Sequence, residues 1–412
     1  MSEINFVDCQ GLAGAFTLGT VQAGFNLVHR VSLEGGFGDE VVDRNRHLLG
    51  DGWRQDEGTL PEEWARGAAG VVCGTPPCAG FSMMNTRNER GPDNPINHCM
   101  AKLVEYGALC WGADGERGAE IISFESVQGA FKKGRGLMQA LRELADETSG
   151  QRYDLHHVMM SGASVGSAQY RPRYYLVLSR VPFGIDEPRR EDTPDGRVVT
   201  YYDALADLMG LDHETWDDQA YLYGPASEYA AALRRADGMV DQHFAKDGTL
   251  SRVIREACER GMQPKWYLSQ AFDWLDYHPP EFAGSRGVRK VSREGSTYRG
   301  FSWPRRVPPD KNGWVVTGGA VREFIHWSEP RLFTIRELTR MMGYPDDWRW
   351  PDKTTGKTGA LIGKCCPVTS GRWLATWFRR SLEGSPGALG ESIGEREYLY
   401  DYTRTFKSWE QS

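Results

Sequence analysis

The sequence predicts an α/β protein: a doubly wound, mostly parallel sheet with a second, smaller domain in the later half of the chain. Short apolar runs at 4–7, 27–33, 70–72, 120–124, 156–160 and 174–178 read as buried strands. Segments of helical periodicity at 40–49, 98–111 and 136–147 lie between them, the alternation that covers a parallel sheet with helices. The character changes near Asp186: residues 187–285 are acidic and helical in pattern, at 201–209, 227–236 and 250–260, and a basic, aromatic stretch follows. Helical periodicity returns at 334–342 and 369–381, flanked by Pro345 and Pro367. The tail from Glu383 is rich in Gly and Ser, then in Tyr, without a core pattern. The expected division is a first domain at 1–186, a second at 187–330, a return to the first at 331–385 and a tail at 386–412.

Composition narrows the class. With 412 residues, 40% hydrophobic and 25% charged, the chain is long enough for a large core and has the balance of an ordinary globular protein. No run approaches 18 apolar residues and the first ten lack signal-peptide character, so a cytoplasmic protein without a membrane span is expected. None of the eight cysteines forms a C-x-x-C pair, so free thiols and no metal site are expected. A net charge of -7 argues against unspecific coating of nucleic acid but leaves room for a local basic groove. Residues 286–306 are the candidate: seven Lys and Arg, Arg299 and Arg305 among them, against Glu294 alone, with Tyr298, Phe301 and Trp303 interleaved. A solvated loop is the competing reading of that stretch.

The chemistry centres on Gly74-Thr75-Pro76-Pro77-Cys78-Ala79-Gly80-Phe81-Ser82. The segment follows a buried strand, which places Cys78 at the carboxyl edge of the sheet, where α/β folds bind ligands. Two prolines stiffen the backbone before it, and a thiolate is a strong nucleophile. A buried structural cysteine is the alternative.

Six motifs then follow in order. They are Phe6 to Phe25, Gly74 to Ser82, Phe124-Glu125-Ser126-Val127, Gln169-Tyr170-Arg171-Pro172-Arg173, Thr334-Ile335-Arg336-Glu337 with Met342-Gly343-Tyr344-Pro345, and Ile362-Gly363-Lys364-Cys365-Cys366-Pro367. In these the chain resembles the DNA cytosine-C5 methyltransferase family, outside about 187–300. The resemblance implies the S-adenosylmethionine-dependent methyltransferase fold, S-adenosylmethionine as donor, double-stranded DNA as partner, a monomer, and a role in restriction-modification or phage DNA modification. Cys78 would add to C6 of a flipped-out cytosine, making C5 electron-rich enough to attack the sulfonium carbon. Glu125 would protonate N3, Arg173 would contact O2, and Arg171 would support them. Two arginines at i and i+2 of a strand point the same way, so this division of roles is natural.

The resemblance also assigns the cofactor and DNA contacts. Asp8 leads into the Gly11-to-Gly14 turn, Glu34 meets the ribose hydroxyls and Asp56 the adenine amine, with Gln10, Pro77, Lys364 and Cys366 beside the donor. Ser82, Gln169, Thr317, Gly318, Arg299 and Arg305 are expected on DNA. Three positions depart from the family pattern: Gln10 for Phe, Ser126 for Asn and Lys364 for Asn. A lysine beside a sulfonium repels it, whereas a carboxylate on the transferred carbon would pair with it. Carboxy-S-adenosylmethionine, giving 5-carboxymethylcytosine, is therefore the alternative donor. A non-catalytic DNA-binding relative and an RNA methyltransferase are the alternatives of other kinds, the first opposed by the presence of Cys78, Glu125, Arg171 and Arg173 together.

Overall fold

Apolar runs that are buried on both faces become the inner strands of one sheet. The computed structural model describes residues 4–32, 38–57, 69–82, 91–212, 217–241, 255, 259, 305–351, 355–387 and 395–400, and divides into two compact units. The first comprises Met1–Val199, Trp348–Pro351 and Cys365–Ser412; the second comprises Thr200–Asp347 and Asp352–Lys364.

The chain enters the first unit as β1 (Ile4–Cys9), α1 (Ala15–Gln22), β2 (Phe25–Ser32), α2 (Asp39–Arg44), α3 (Arg46–Leu49), β3 (Arg54–Glu57) and β4 (Val71–Gly74). It continues as α4 (His98–Leu109), β5 (Ile121–Ser126), α5 (Gln128–Lys133), α6 (Arg135–Ser149), β6 (Asp154–Ser161) and β7 (Pro172–Ser179). The second unit holds α7 (Tyr201–Leu205), β8 (Asp218–Ala220), α8 (Glu228–Leu233), β9 (Met239–Asp241), β10 (Arg305–Arg306), β11 (Phe324–Ile325), α9 (Ile335–Met341) and α10 (Thr355–Ile362). Back in the first unit follow α11 (Val368–Leu382) and β12 (Arg396–Leu399).

The sheet order is β12-β6-β7-β5-β4-β1-β2-β3. β7 alone runs antiparallel, between β5 and β6, so the sheet is mostly parallel as the sequence predicts. Val71, Val72, Ile121, Ile122, Leu176, Val177 and Leu178 are fully buried, as strands covered on both faces require.

Local chemistry explains where the elements differ from the sequence reading. The helix expected at 40–49 is broken into α2 and α3 at Asn45. The Asn45 carboxamide donates to the Val41 and Arg349 carbonyls and accepts from the Arg349 N–H, so it competes with the helix ladder. The tail, which carried no core pattern, supplies β12, parallel to β6 at the sheet edge. Tyr398 turns inward there and stacks on His156, a contact too local to register as periodicity. α1 presses on α11 because Gly19 has no side chain: a Cβ there would lie 2.6 Å from the Val368 carbonyl oxygen.

Charges buried in pairs set the register of the second unit. Thr334 and Glu337 form a capping box that starts α9. Glu337 then accepts both nitrogens of the Arg331 fork, at 2.8 and 2.9 Å. Arg340, fully buried, bonds Asp207 at 2.6 Å and Asp346 at 2.8 Å, joining three segments of the unit. Removing one partner from such a network strands a buried charge, a larger loss than the net worth of the pair. Among the described residues, no helix is long and apolar enough to cross a membrane.

The end of β4 tolerates no side chain. A Cβ at Gly74 would fall 1.7 Å from the Cys9 carbonyl oxygen of neighbouring β1. Gly74→Ala should therefore force the two strands apart and lower unfolding free energy by about 1–3 kcal/mol or more, measured by denaturant titration. A variant within 0.5 kcal/mol of the native chain, the usual range of a harmless surface change, would contradict that close approach.

Candidate active site

β1 and β4 end in register, with Cys9 beside Gly74, and Gly74 lies beside Phe124 of β5, which runs two residues further to Ser126. The next residues along are Gln10, Thr75 and Glu125, so three parts of the predicted site emerge from one sheet edge. Thr75 fastens two of them by donating its hydroxyl to the Gln10 carbonyl at 2.8 Å.

The Cys78 loop is held from both sides. The Phe81 N–H donates to the Cys78 carbonyl at 3.0 Å, closing a turn over Cys78–Phe81. Gly129 of α5 lies against the Phe81 carbonyl, where a Cβ would approach to 2.3 Å, and Gly134 lies against the Phe81 ring. Gly80 lies against Asn97, whose amide donates to the Gly91 and Pro92 carbonyls at 2.9 Å. Pro77 and Cys78 are half-buried, Ala79 is exposed, and Ser82 is half-buried at the end of the described loop.

Around Cys78 the structure gathers the predicted polar groups. Glu125 is buried on β5 and forms an ion pair with Arg173 Nε at 2.5 Å. Burial nevertheless wins over Arg173 and Arg171 and pushes the Glu125 carboxyl up. Burial also raises the Cys78 thiol, helped by the Glu125 charge and opposed by Arg173 and Arg171. Arg171 is fully enclosed, and burial with the Arg173 charge pulls it down to about 9. Its field also reaches Cys365 and Cys366, both buried at the start of α11. Gln169 is fully buried, and Ser126 is buried with a hydroxyl that makes no hydrogen bond. Resting Cys78 is thus a thiol beside a carboxyl inclined to hold its own proton.

The turn after β1 is the candidate donor loop. Gly14 opens α1 at φ 78, and Trp348 packs on it closely enough that a Cβ would meet the indole at 3.0 Å. Gln10 and Leu12, which are not glycine, also adopt positive φ, at 58 and 47. Asp8 is fully buried; burial lifts its carboxyl to about 6 against the pull of Arg30 and Thr17. Asp8 Oδ1 and Gln10 Oε1 are buried without hydrogen-bond partners, polar capacity that suits a polar ligand in this loop.

Other predicted residues fall elsewhere or outside the described set. Lys364 is exposed and ends the second unit. Thr317 and Gly318 belong to that unit too, and Gly363 is pressed against them, a Cβ there lying 2.2 Å from the Thr317 carbonyl carbon. The Thr317 hydroxyl bonds Glu323 at 2.9 Å. Glu34 and Arg299 lie outside the described residues, and of Asp56 and Arg305 only the backbone, in β3 and β10, is described. Sequence reasoning missed Arg30, Thr75 and Asn97. Arg30 carried a usable signal, a lone charge within the apolar run 27–33, which demands a buried partner.

The family model for C-5 cytosine-specific DNA methylase matches residues 4–377. The chain is 24% identical over 294 residues to the type II methyltransferase M.DdeI of Desulfomicrobium norvegicum, covering 69% of this chain and 64% of that relative. It is 26% identical to the type II methyltransferase M.XorII of Xanthomonas oryzae pv. oryzae, covering 94% of this chain and 87% of the relative. In fold it is similar to a crystal structure titled as a DNA modification methyltransferase encoded within an E. coli prophage. That likeness has a TM-score of 0.60 and 16% identity, over 92% of this chain and 100% of the other. The fold is that of the S-adenosylmethionine-dependent DNA methyltransferases. The chain belongs to the C-5 cytosine-specific DNA methylase family, the DNA (cytosine-5) methyltransferases.

The coupling between Cys78 and Glu125 has a measurable consequence. Alkylation of Cys78 by iodoacetamide, followed by peptide mass spectrometry across pH, should give an apparent pKa above that of an ordinary thiol. Glu125→Gln removes the repelling charge and leaves both arginines, so the profile should move to lower pH. An unchanged profile in that variant would show that the two groups do not interact.

Proposed function

We propose that the chain transfers the methyl group of S-adenosylmethionine to C5 of a cytosine in double-stranded DNA, with Cys78 as the nucleophile. The observation that carries this reading is the gathering of Cys78, Glu125, Arg173 and Arg171 into one mutually charged cluster at the sheet edge.

Each residue then has a task its surroundings favour. Cys78, its thiol proton released to solvent, forms the S–C6 bond, and the electrons of the C5–C6 double bond move toward N3. Glu125, inclined by burial to keep its proton, donates it there. Arg173, already paired with Glu125, directs its charge to O2, while buried Arg171 holds the local field positive. When bound, S-adenosylmethionine supplies an electrophilic methyl on a sulfonium; Asp8, Gln10, Gly11, Gly14, Glu34, Asp56, Pro77 and Cys366 are the residues we assign to holding it. Loss of the C5 proton to a base expels Cys78 as a thiolate and restores the C5–C6 double bond, and the N3 proton returns to Glu125. Since the cytosine must leave the stack for Cys78 to reach C6, Ser82 and Gln169 are assigned to DNA near the pocket. The region 187–330 is assigned to target recognition, with Arg299, Arg305, Thr317 and Gly318 on DNA.

Cys78→Ala should lower methyl incorporation into duplex DNA by about a thousandfold or more, without changing the melting temperature. Only the native chain should form a covalent adduct with duplexes carrying 5-fluorocytosine. Transfer by the alanine variant above about one per cent of the native rate, far more than loss of an essential nucleophile leaves, would remove Cys78 from this role. Methylation of transfer RNA in place of DNA would redirect the substrate.

A second donor is proposed from residue type at two positions taken separately: Lys364, whose side chain is exposed, and Gln10, which keeps a buried carboxamide oxygen without a partner. The two ends of that carboxamide interchange by a flip, so it can donate as well as accept. An ammonium and an amide suit a carboxylated sulfonium better than a bare one. With both donors at equal concentration, mass spectrometry of the nucleosides should then show 5-carboxymethylcytosine from the native chain and mainly 5-methylcytosine from Lys364→Asn. Only 5-methylcytosine from both would leave the methyl reading standing alone.

A further inference from the structure

Arg30 sits near the end of β2, 1% exposed, a full charge buried within the sheet. Its Nε lies 3.4 Å from Asp8 Oδ2 and its Nη2 lies 2.9 Å from Asp39 Oδ1. The same Nη2 donates to the Leu12 carbonyl at 3.1 Å. One guanidinium thereby ties three segments: the end of β1, the turn at 10–14 and the start of α2. The partners are themselves fixed. Thr17 donates to Asp8 at 2.8 Å, and the Ser32 hydroxyl donates to Asp39. Gly38, at φ 96, brings its backbone so close to the Leu12 carbonyl that a Cβ would fall 2.2 Å from the oxygen.

Two considerations argue that this arrangement serves more than stability. A buried ion pair adds little stability over well-packed apolar side chains of the same volume, so an arginine between two carboxylates at this depth is better explained by what it positions. The turn it grips is also strained: Gln10 and Leu12 are left-handed without being glycine, a state that persists only where the surroundings over-determine it. Gln10 is held by its N–H to Val31 at 2.8 Å and by Thr75 on its carbonyl. The Leu12 carbonyl is held by Arg30.

We propose that Arg30 is a positioning residue for the methyl donor, holding the 10–14 turn against the start of α2 in the shape that binds the donor. The inference rests on the reading of that turn as the donor site. Without the guanidinium, Leu12 relaxes toward ordinary backbone angles and the turn loses its preformed shape, while the Cys78 loop keeps its own anchors at Gly129, Gly134 and Asn97.

The test is calorimetric titration of the full chain with S-adenosylhomocysteine and S-adenosylmethionine, alongside fluorescence anisotropy with duplex DNA in the absence of donor. Arg30→Met should raise the donor Kd roughly ten- to hundredfold, the loss expected for a charged hydrogen bond, and leave DNA affinity within about twofold, the scatter of a change that costs under half a kcal/mol. Arg30→Lys, which keeps the charge but not the fork, should recover part of the loss. Asp39→Asn cuts the tie to α2 alone and covers the case in which Arg30→Met fails to fold; it should shift the donor Kd in the same direction. Gly11→Ala, whose Cβ would fall 2.1 Å from the Asp8 carboxylate, disturbs the same turn independently. If Gly11→Ala weakens donor binding and folded Arg30→Met and Asp39→Asn do not, the role of Arg30 is refuted. If all three leave donor binding unchanged, the donor-site reading itself is refuted.

Discussion

The register that sets Cys9 of β1, Gly74 of β4 and Phe124 of β5 side by side is the constraint on which the site depends. Pairing leaves little freedom once both faces of a sheet are buried, because a slip of one residue would move every side chain to the opposite face, away from the neighbours it packs against. Here that rigidity carries Cys9, Gly74 and Phe124 to the same height. The Gln10 turn, the Thr75–Cys78 loop and Glu125 then need no long connection to meet. Antiparallel β7 completes the arrangement by returning Arg173 and Arg171 to the edge, with Tyr175 opposite Glu125.

Electrostatics follow from that geometry. The edge is enclosed by α1, α5 and α11, so each charge placed there is desolvated before it is paired. Desolvation is the largest effect on Asp8, Cys78, Glu125 and Arg171 alike, and in each it favours the neutral form. The carboxyl and thiol thus rest nearer their protonated states than they would in water, while the nearby arginines limit how far.

The second unit uses the opposite balance. Arg340, Asp207 and Asp346 are as deeply buried as any group at the sheet edge, but each charge meets a counter-charge with good hydrogen-bond geometry. Coulombic pairing with the carboxylates there outweighs burial and raises Arg340. Full pairing gives rigidity and a fixed register; incomplete pairing, as at Cys78 and Glu125, leaves groups free to react.

Much of this was legible in the sequence. Apolar runs of strand length marked six of the eight strands, because burial on both faces leaves a plain trace in composition. Motif order pointed to Cys78, Glu125, Arg171 and Arg173, and the structure brings these four together at the sheet edge. The tertiary structure alone decided what depends on contact across long separations: the tail as β12, the break at Asn45, the glycines on which Phe81 rests, and the partners of Arg30. A backbone approach of 2 Å or a carboxylate facing an arginine leaves no periodicity, and a strand of four residues is too short to show one. Sequence encodes burial residue by residue, whereas a close approach or an ion pair belongs to two distant residues at once.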